Sequence, residues 1–106
     1  MVFVELTPFV DFRTEYWTDD DLRALQNFLL LSPNAGDLIR GSSGLRKIRW
    51  SAQGRGKRGG ARVIYDWHVP KDRVYLIYGH VKSEREDWTP QQIAVLAELM
   101  KDMKNG

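Results

Sequence analysis

The sequence predicts an α+β domain built mainly on an antiparallel sheet, with two N-terminal helices and one C-terminal helix in the order β-α-α-β-β-β-α. Three observations predict it. Helix-start signals recur at Thr7-Pro8, at Thr18 and at Thr89-Pro90, each with a hydroxyl side chain where a cap is needed. Residues 45–50 and 61–69 alternate apolar and polar side chains with a period of two, the pattern of strands with one face buried. Pro70-Lys71-Asp72 then turns the chain into a third apolar run at 74–78, which makes an antiparallel meander. No repeat or linker interrupts the 106 residues, so residues 1–106 read as one domain.

In order, Val2 to Leu6 is a short apolar run with Glu5 inside it, a first strand. Thr7 as N-cap and Pro8 at the first helical position open a helix that runs to about Trp17. Thr18 to Asp21 has capping-box spacing, and Asp19, Asp20 and Asp21 place negative charge at the positive end of the helix dipole. Leu22, Leu25, Phe28, Leu29 and Leu31 supply that helix with an apolar face. Residues 34–44 read as a loop. Leu45 to Trp50 follows as a strand with Leu45, Lys47 and Arg49 on one face and Arg46, Ile48 and Trp50 on the other. In the next strand Arg62, Ile64 and Asp66 oppose Val63, Tyr65 and Trp67. If Trp50 and Trp67 face the core, then Lys47, Arg49 and Arg62 share the open face. Thr89 and Gln92 form a third capping pair, and Ile93, Leu96, Leu99, Met100 and Met103 recur as a packing face.

Apolar residues at 42% and charged residues at 28% are ordinary for a globular domain and argue against disorder. The chain has no cysteine, which excludes disulfides, thiolate nucleophiles and cysteine-based zinc sites. Its amino terminus lacks a basic segment followed by a long apolar core, and no apolar run approaches the roughly 18 residues of a membrane span. The expectation is a cytoplasmic protein with no membrane partner.

Charge is strongly segregated. Between Leu38 and Ile64 there is no acidic residue, and Arg40, Arg46, Lys47, Arg49, Arg55, Lys57, Arg58 and Arg62 put half of the 16 basic residues there. The remainder of the molecule is net −6 although the whole chain is +2. Such a patch concentrates positive potential where phosphates would lie, so nucleic acid is the expected partner.

Three segments carry a resemblance: Asn34-Ala35-Gly36-Asp37 with Ile39-Arg40-Gly41; Gly44-Leu45-Arg46-Lys47-Ile48-Arg49; and above all Gly54-Arg55-Gly56-Lys57-Arg58-Gly59-Gly60-Ala61-Arg62-Val63-Ile64-Tyr65. With Lys82 to Trp88 as a weaker fourth, the chain resembles the RelE/HigB superfamily of bacterial toxins, and particularly its HigB-type branch. The resemblance implies a compact domain like the microbial ribonucleases that cleaves messenger RNA on the ribosome and inhibits translation. It also implies a cognate antitoxin carrying a helix-turn-helix DNA-binding domain.

Metal-free RNA cleavage uses the ribose 2′-hydroxyl to attack the adjacent phosphate. The protein must then supply a proton acceptor, a proton donor to the leaving 5′-oxygen, and cations for the charge that develops on phosphorus. By the resemblance, Arg62 matches the family's strand arginine and is assigned to the scissile phosphate, whose two oxygens a planar guanidinium can grip together. Lys47 and Arg49 match its paired basic positions. Lys47 is the first choice for proton transfer, provided neighbouring cations repel its charge, and phosphate binding alone by all three is the alternative. Arg46, Arg55, Lys57, Arg58, His80 and Lys82 are assigned to RNA contacts. His80 is open between acid–base work and a structural place, because histidine titrates near neutrality. No metal or cofactor is expected.

The glycine-rich segment 54–59 lacks the spacing and the serine or threonine of a P-loop. Tyr65, Trp50 and Trp67 have the chemistry to stack bases, but their strand periodicity favours the core. A non-catalytic RNA- or DNA-binding module using the same basic face is the competing function, and an inactive toxin homologue retained for partner binding is a third.

Overall fold

The structure, a computed structural model, describes residues 1–51, 60–81 and 88–105. The expected contacts Arg55, Lys57, Arg58 and Lys82 lie outside the described residues. Strand β1 (Val2–Glu5) leads into helix α1 (Thr7–Tyr16) and helix α2 (Asp19–Leu31). A two-residue strand β2 (Asp37–Leu38) precedes β3 (Leu45–Trp50) and β4 (Ala61–His68). A 3-10 turn at Val69–Lys71 leads to β5 (Arg73–Val81), and helix α3 (Pro90–Asn105) closes the described chain.

The five strands form one sheet in the order β1-β5-β4-β3-β2. The meander β3-β4-β5 is antiparallel as expected, whereas β1 lies parallel to β5 at the far edge. That parallel pairing needs a long crossover, which α1 and α2 supply together with the rest of the chain. Asp37 and Leu38, expected in a loop, instead pair with Lys47 and Arg46. β5 runs three residues further than the apolar run 74–78 indicated, to Val81.

Capping chemistry sets where two helices begin. Thr18 accepts from the Asp21 amide at 3.1 Å while Asp21 accepts from the Thr18 amide at 2.8 Å, a complete capping box. Thr89 and Gln92 repeat it with distances of 2.9 and 3.1 Å. At α1 the expectation shifts by one residue: Leu6 is the N-cap and makes no side-chain capping bond, and Thr7 is already helical.

Each sheet face carries its own core. Phe9 and Phe12 of α1, Trp17 of the connection and Leu25 and Leu29 of α2 pack on Val63, Tyr65, Val74 and Leu76. On the other face Ile93 and Met100 of α3 join Leu45, Ile64, Tyr75 and Ile77. Trp50 and Trp67 pack against the first core and Tyr65 is fully buried, so all three aromatics have structural places. Four apolar expectations are corrected. Leu31 is 87% exposed, and Phe28, Leu99 and Met103 are also exposed.

The pairing of β4 with β5 is irregular at one point. The pairs Asp66–Tyr75 and Tyr65–Leu76 are followed by Ile64–Tyr78, so Ile77 is an extra residue in β5. This β-bulge reverses the alternation beyond it. Tyr78 and His80 turn to the α3 face, and Gly79 turns to α1, where a Cβ would come within 2.5 Å of the Phe12 ring.

Candidate functional site

Residues directly opposed across antiparallel strands share a face, with Cβ atoms about 5 Å apart. The register therefore groups the predicted residues by itself. Arg49 of β3 pairs with Arg62 of β4, which pairs with His80 of β5, a row of three across the sheet. Lys47, Ile64 and Tyr78 form the next row on that face, and Leu45, Asp66 and Tyr75 the third. The sheet thus brings Lys47, Arg49, Arg62 and His80 together, with Tyr78 in their midst.

α3 covers this face unevenly. Its C-terminal end is pinned at the third row, where the Lys104 ammonium forms an ion pair with the buried Asp66 carboxylate at 2.8 Å. Its buried residues Ile93 and Met100 pack over the middle. Trp88, just before the helix, closes against the β5 end of the first row, its ring perpendicular to that of His80 with centroids 4.4 Å apart. Arg49 is exposed, and Lys47 and Arg62 are half-buried, so the cations border solvent. Asp37 is the register partner of Lys47 on the outer strand. No carboxylate among the described residues forms an ion pair with Arg49 or Arg62.

Two expected residues stand differently. Arg46 points to the opposite face, where its guanidinium donates to the carbonyls of Asn34 at 3.1 Å and Gly36 at 2.7 Å. It holds the loop before β2 in place and is not part of the cationic row. His80 is only 7% exposed, more enclosed than a surface RNA contact would be. One edge of it borders a groove of about 520 Å³ between β5 and α1, shared with Asp11, Glu15, Tyr16 and Tyr78.

The loop under Arg46 has a second anchor. Tyr65 donates to the Pro33 carbonyl and accepts from the Gly36 amide, both at 2.8 Å. Burial pushes its hydroxyl above the ordinary tyrosine value, while the Gly36 bond and the Arg46 charge pull the other way.

Tyr78 and Trp88 were not singled out by the sequence. The bulge that turns Tyr78 inward leaves no local mark in residues 74–81. Trp88 carried a legible signal, since it precedes a capped threonine and lies at the N′ position, five residues before Ile93 at N4, the spacing of a hydrophobic staple.

Chemically, the arrangement is a row of cations at the edge of an apolar sheet, with one enclosed imidazole at its end. It can hold a phosphodiester and stabilise negative charge on it. Among the described residues no three histidine or carboxylate side chains gather as metal ligands, and no helix is long and apolar enough to cross a membrane.

No family profile matches the sequence. Among solved structures, the fold is similar to Escherichia coli toxin RelE, in a double arginine-to-alanine mutant studied in the free state. The TM-score is 0.57 at 18% sequence identity, over 90% of this chain and 94% of that one. The three helices and five-stranded, mainly antiparallel sheet of this chain make a RelE-like fold.

Proposed function

We propose that the chain is the toxin of a toxin–antitoxin module and acts as an endoribonuclease on messenger RNA in the ribosome, so inhibiting translation. The observation that carries this is the Arg49–Arg62–His80 row with Lys47 beside it, on the accessible end of a RelE-like sheet. Arg62, central in the row, grips the scissile phosphate and stabilises its developing charge. Arg49 neutralises the same group from the next strand. Lys47 accepts the 2′-hydroxyl proton, and the reaction ends in a 2′,3′-cyclic phosphate and a free 5′-hydroxyl without a metal ion. Lys57, Arg58, Arg55 and Lys82 hold the RNA backbone or ribosomal RNA.

The HigB-type branch, a cytoplasmic location and an antitoxin with a helix-turn-helix domain complete the proposal. A basic face suits an antitoxin segment that is acidic or that covers it sterically. The test is controlled expression in a bacterial host. The unaltered chain should arrest growth and degrade translated messages, Arg62→Ala should do neither while remaining folded, and co-expression of a cognate antitoxin carrying a helix-turn-helix domain should restore growth. RNA binding by the unaltered chain with no cleavage and no arrest would favour the non-catalytic module.

A further inference from the structure

We infer that the outer edge of β3 over Ile48–Trp50 is a docking site for an extended segment of a partner protein whose side chains alternate acidic and apolar. The surface adjoins the proposed phosphate site, and binding there does not depend on whether RNA is cleaved.

The edge is open by topology. β2 is the last strand of the sheet and pairs only with Arg46 and Lys47, so over Ile48–Trp50 no strand of the described residues lies outside β3. The backbone is turned to suit. The Leu45 carbonyl accepts from the Ile39 amide on the outer side, and alternation along β3 puts the amide and carbonyl of Arg49 on that same side. Such an edge is a template for main-chain pairing with another chain. A nucleic-acid strand would set phosphates against the outward carbonyl, whereas a peptide supplies the donor it needs.

The two faces of an added strand meet different chemistry. On the α3 face Arg49 is exposed, and its partner across β4 is a second cation, Arg62. A carboxylate residue opposite Arg49 on the outer side would have its Cβ about 5 Å from that of Arg49 and would relieve the like-charge pair. On the α2 face the exposed Phe28 packs on Trp50 with ring centroids 5.3 Å apart, and Leu31 is exposed one turn further along α2. The chain already holds a two-residue sample of the pattern. β2 sets Asp37 opposite Lys47 on the cation face, while Leu38, opposite Arg46, lies on the other face and is exposed. The partner segment continues the line of β2, with its acidic residue on Arg49 and an apolar residue on either side against Phe28 and Trp50. Three residues leave only about 10 Å of edge, so charge pairing rather than length supplies the selectivity.

The test titrates the full chain with two blocked seven-residue peptides, one alternating valine and glutamate and the other valine and lysine, followed by NMR. The glutamate peptide should shift the amides of Ile48, Arg49 and Trp50 and the Phe28 ring. It should also slow hydrogen exchange at the Arg49 amide and bind at least about 10-fold more tightly than the lysine peptide. Arg49→Glu should reverse that preference, and Phe28→Ala should weaken the glutamate peptide. N-methylating the peptide backbone at alternate residues should abolish binding. Where the chain cleaves RNA, the glutamate peptide should slow cleavage by competing for Arg49; where it does not, the ribonuclease reading fails and the binding data alone decide. The inference is overturned if both peptides bind alike, if the shifts fall elsewhere in the molecule, or if N-methylation has no effect. Concentration-dependent shifts at the same residues without peptide would give the edge to a second copy of this chain, and the full pattern from a single-stranded RNA would give it to RNA. Either result also overturns the inference.

Discussion

Arg49 and Arg62 stand directly opposite each other on neighbouring antiparallel strands, where two like charges repel. A sheet selected for stability alone would pair one of them with a carboxylate. Neutralising one, as in Arg49→Gln, should raise stability by about 0.5 kcal/mol at low ionic strength, a gain that shrinks as salt screens the pair. RNA cleavage by the same variant should fall about 100-fold. Thermal melts at two salt concentrations, set beside cleavage rates, check both halves of this trade.

Tyr65 ties the 33–36 loop with two hydrogen bonds from a fully buried hydroxyl. Tyr65→Phe leaves the Gly36 amide and the Pro33 carbonyl without this partner and should cost about 1–3 kcal/mol in urea denaturation. The pH dependence has a definite sign. Because burial raises the hydroxyl's pKa above its ordinary 10.0, the folded state keeps its proton longer than the unfolded chain does. Stability should hold below that value and fall as pH climbs beyond it, and Tyr65→Phe should flatten the alkaline fall.

Gly36 is the other half of that anchor. A Cβ there would lie 2.8 Å from the Tyr65 ring and 2.9 Å from its hydroxyl, with strand backbone at 3.0 Å behind. Gly36→Ala should therefore destabilise the fold by about 1–3 kcal/mol. The Tyr65→Phe, Gly36→Ala double variant should cost less than the sum of the singles, a non-additivity that a double-mutant cycle measures.

Asp66 is 2% exposed and its charge is met by Lys104 from the last turns of α3. Lys104→Met strands that carboxylate and should cost about 3 kcal/mol, while Asp66→Leu with Lys104→Met should recover most of the loss. Chemical denaturation of the three variants decides it.

Much of the fold was legible because its signals are local. Thr18 with Asp21 and Thr89 with Gln92 announce their helices within four residues, and the alternation of Leu45 to Trp50 puts Lys47 and Arg49 on one face before any partner strand is known. The parallel docking of β1 beside β5 was not legible, since pairing between strands about 70 residues apart is decided by how α1 packs on the sheet. His80 shows the same limit at the site. Simple alternation from Tyr75 would have turned Ile77 and Gly79 to the α3 face, and only the register shift puts Tyr78 and His80 there. Arg46 was illegible in another way: its charge suggested phosphate, and nothing in the sequence signals that it donates to the carbonyls of Asn34 and Gly36 on the other face.

The most direct measurement is primer extension on a translated message, with and without ribosomes, comparing the unaltered chain with Arg62→Ala and Arg62→Lys. Discrete cleavage that depends on ribosomes, vanishes in Arg62→Ala and is not rescued by lysine is the outcome expected if a guanidinium between Arg49 and His80 grips the scissile phosphate. Cleavage that survives Arg62→Ala unchanged would contradict the account.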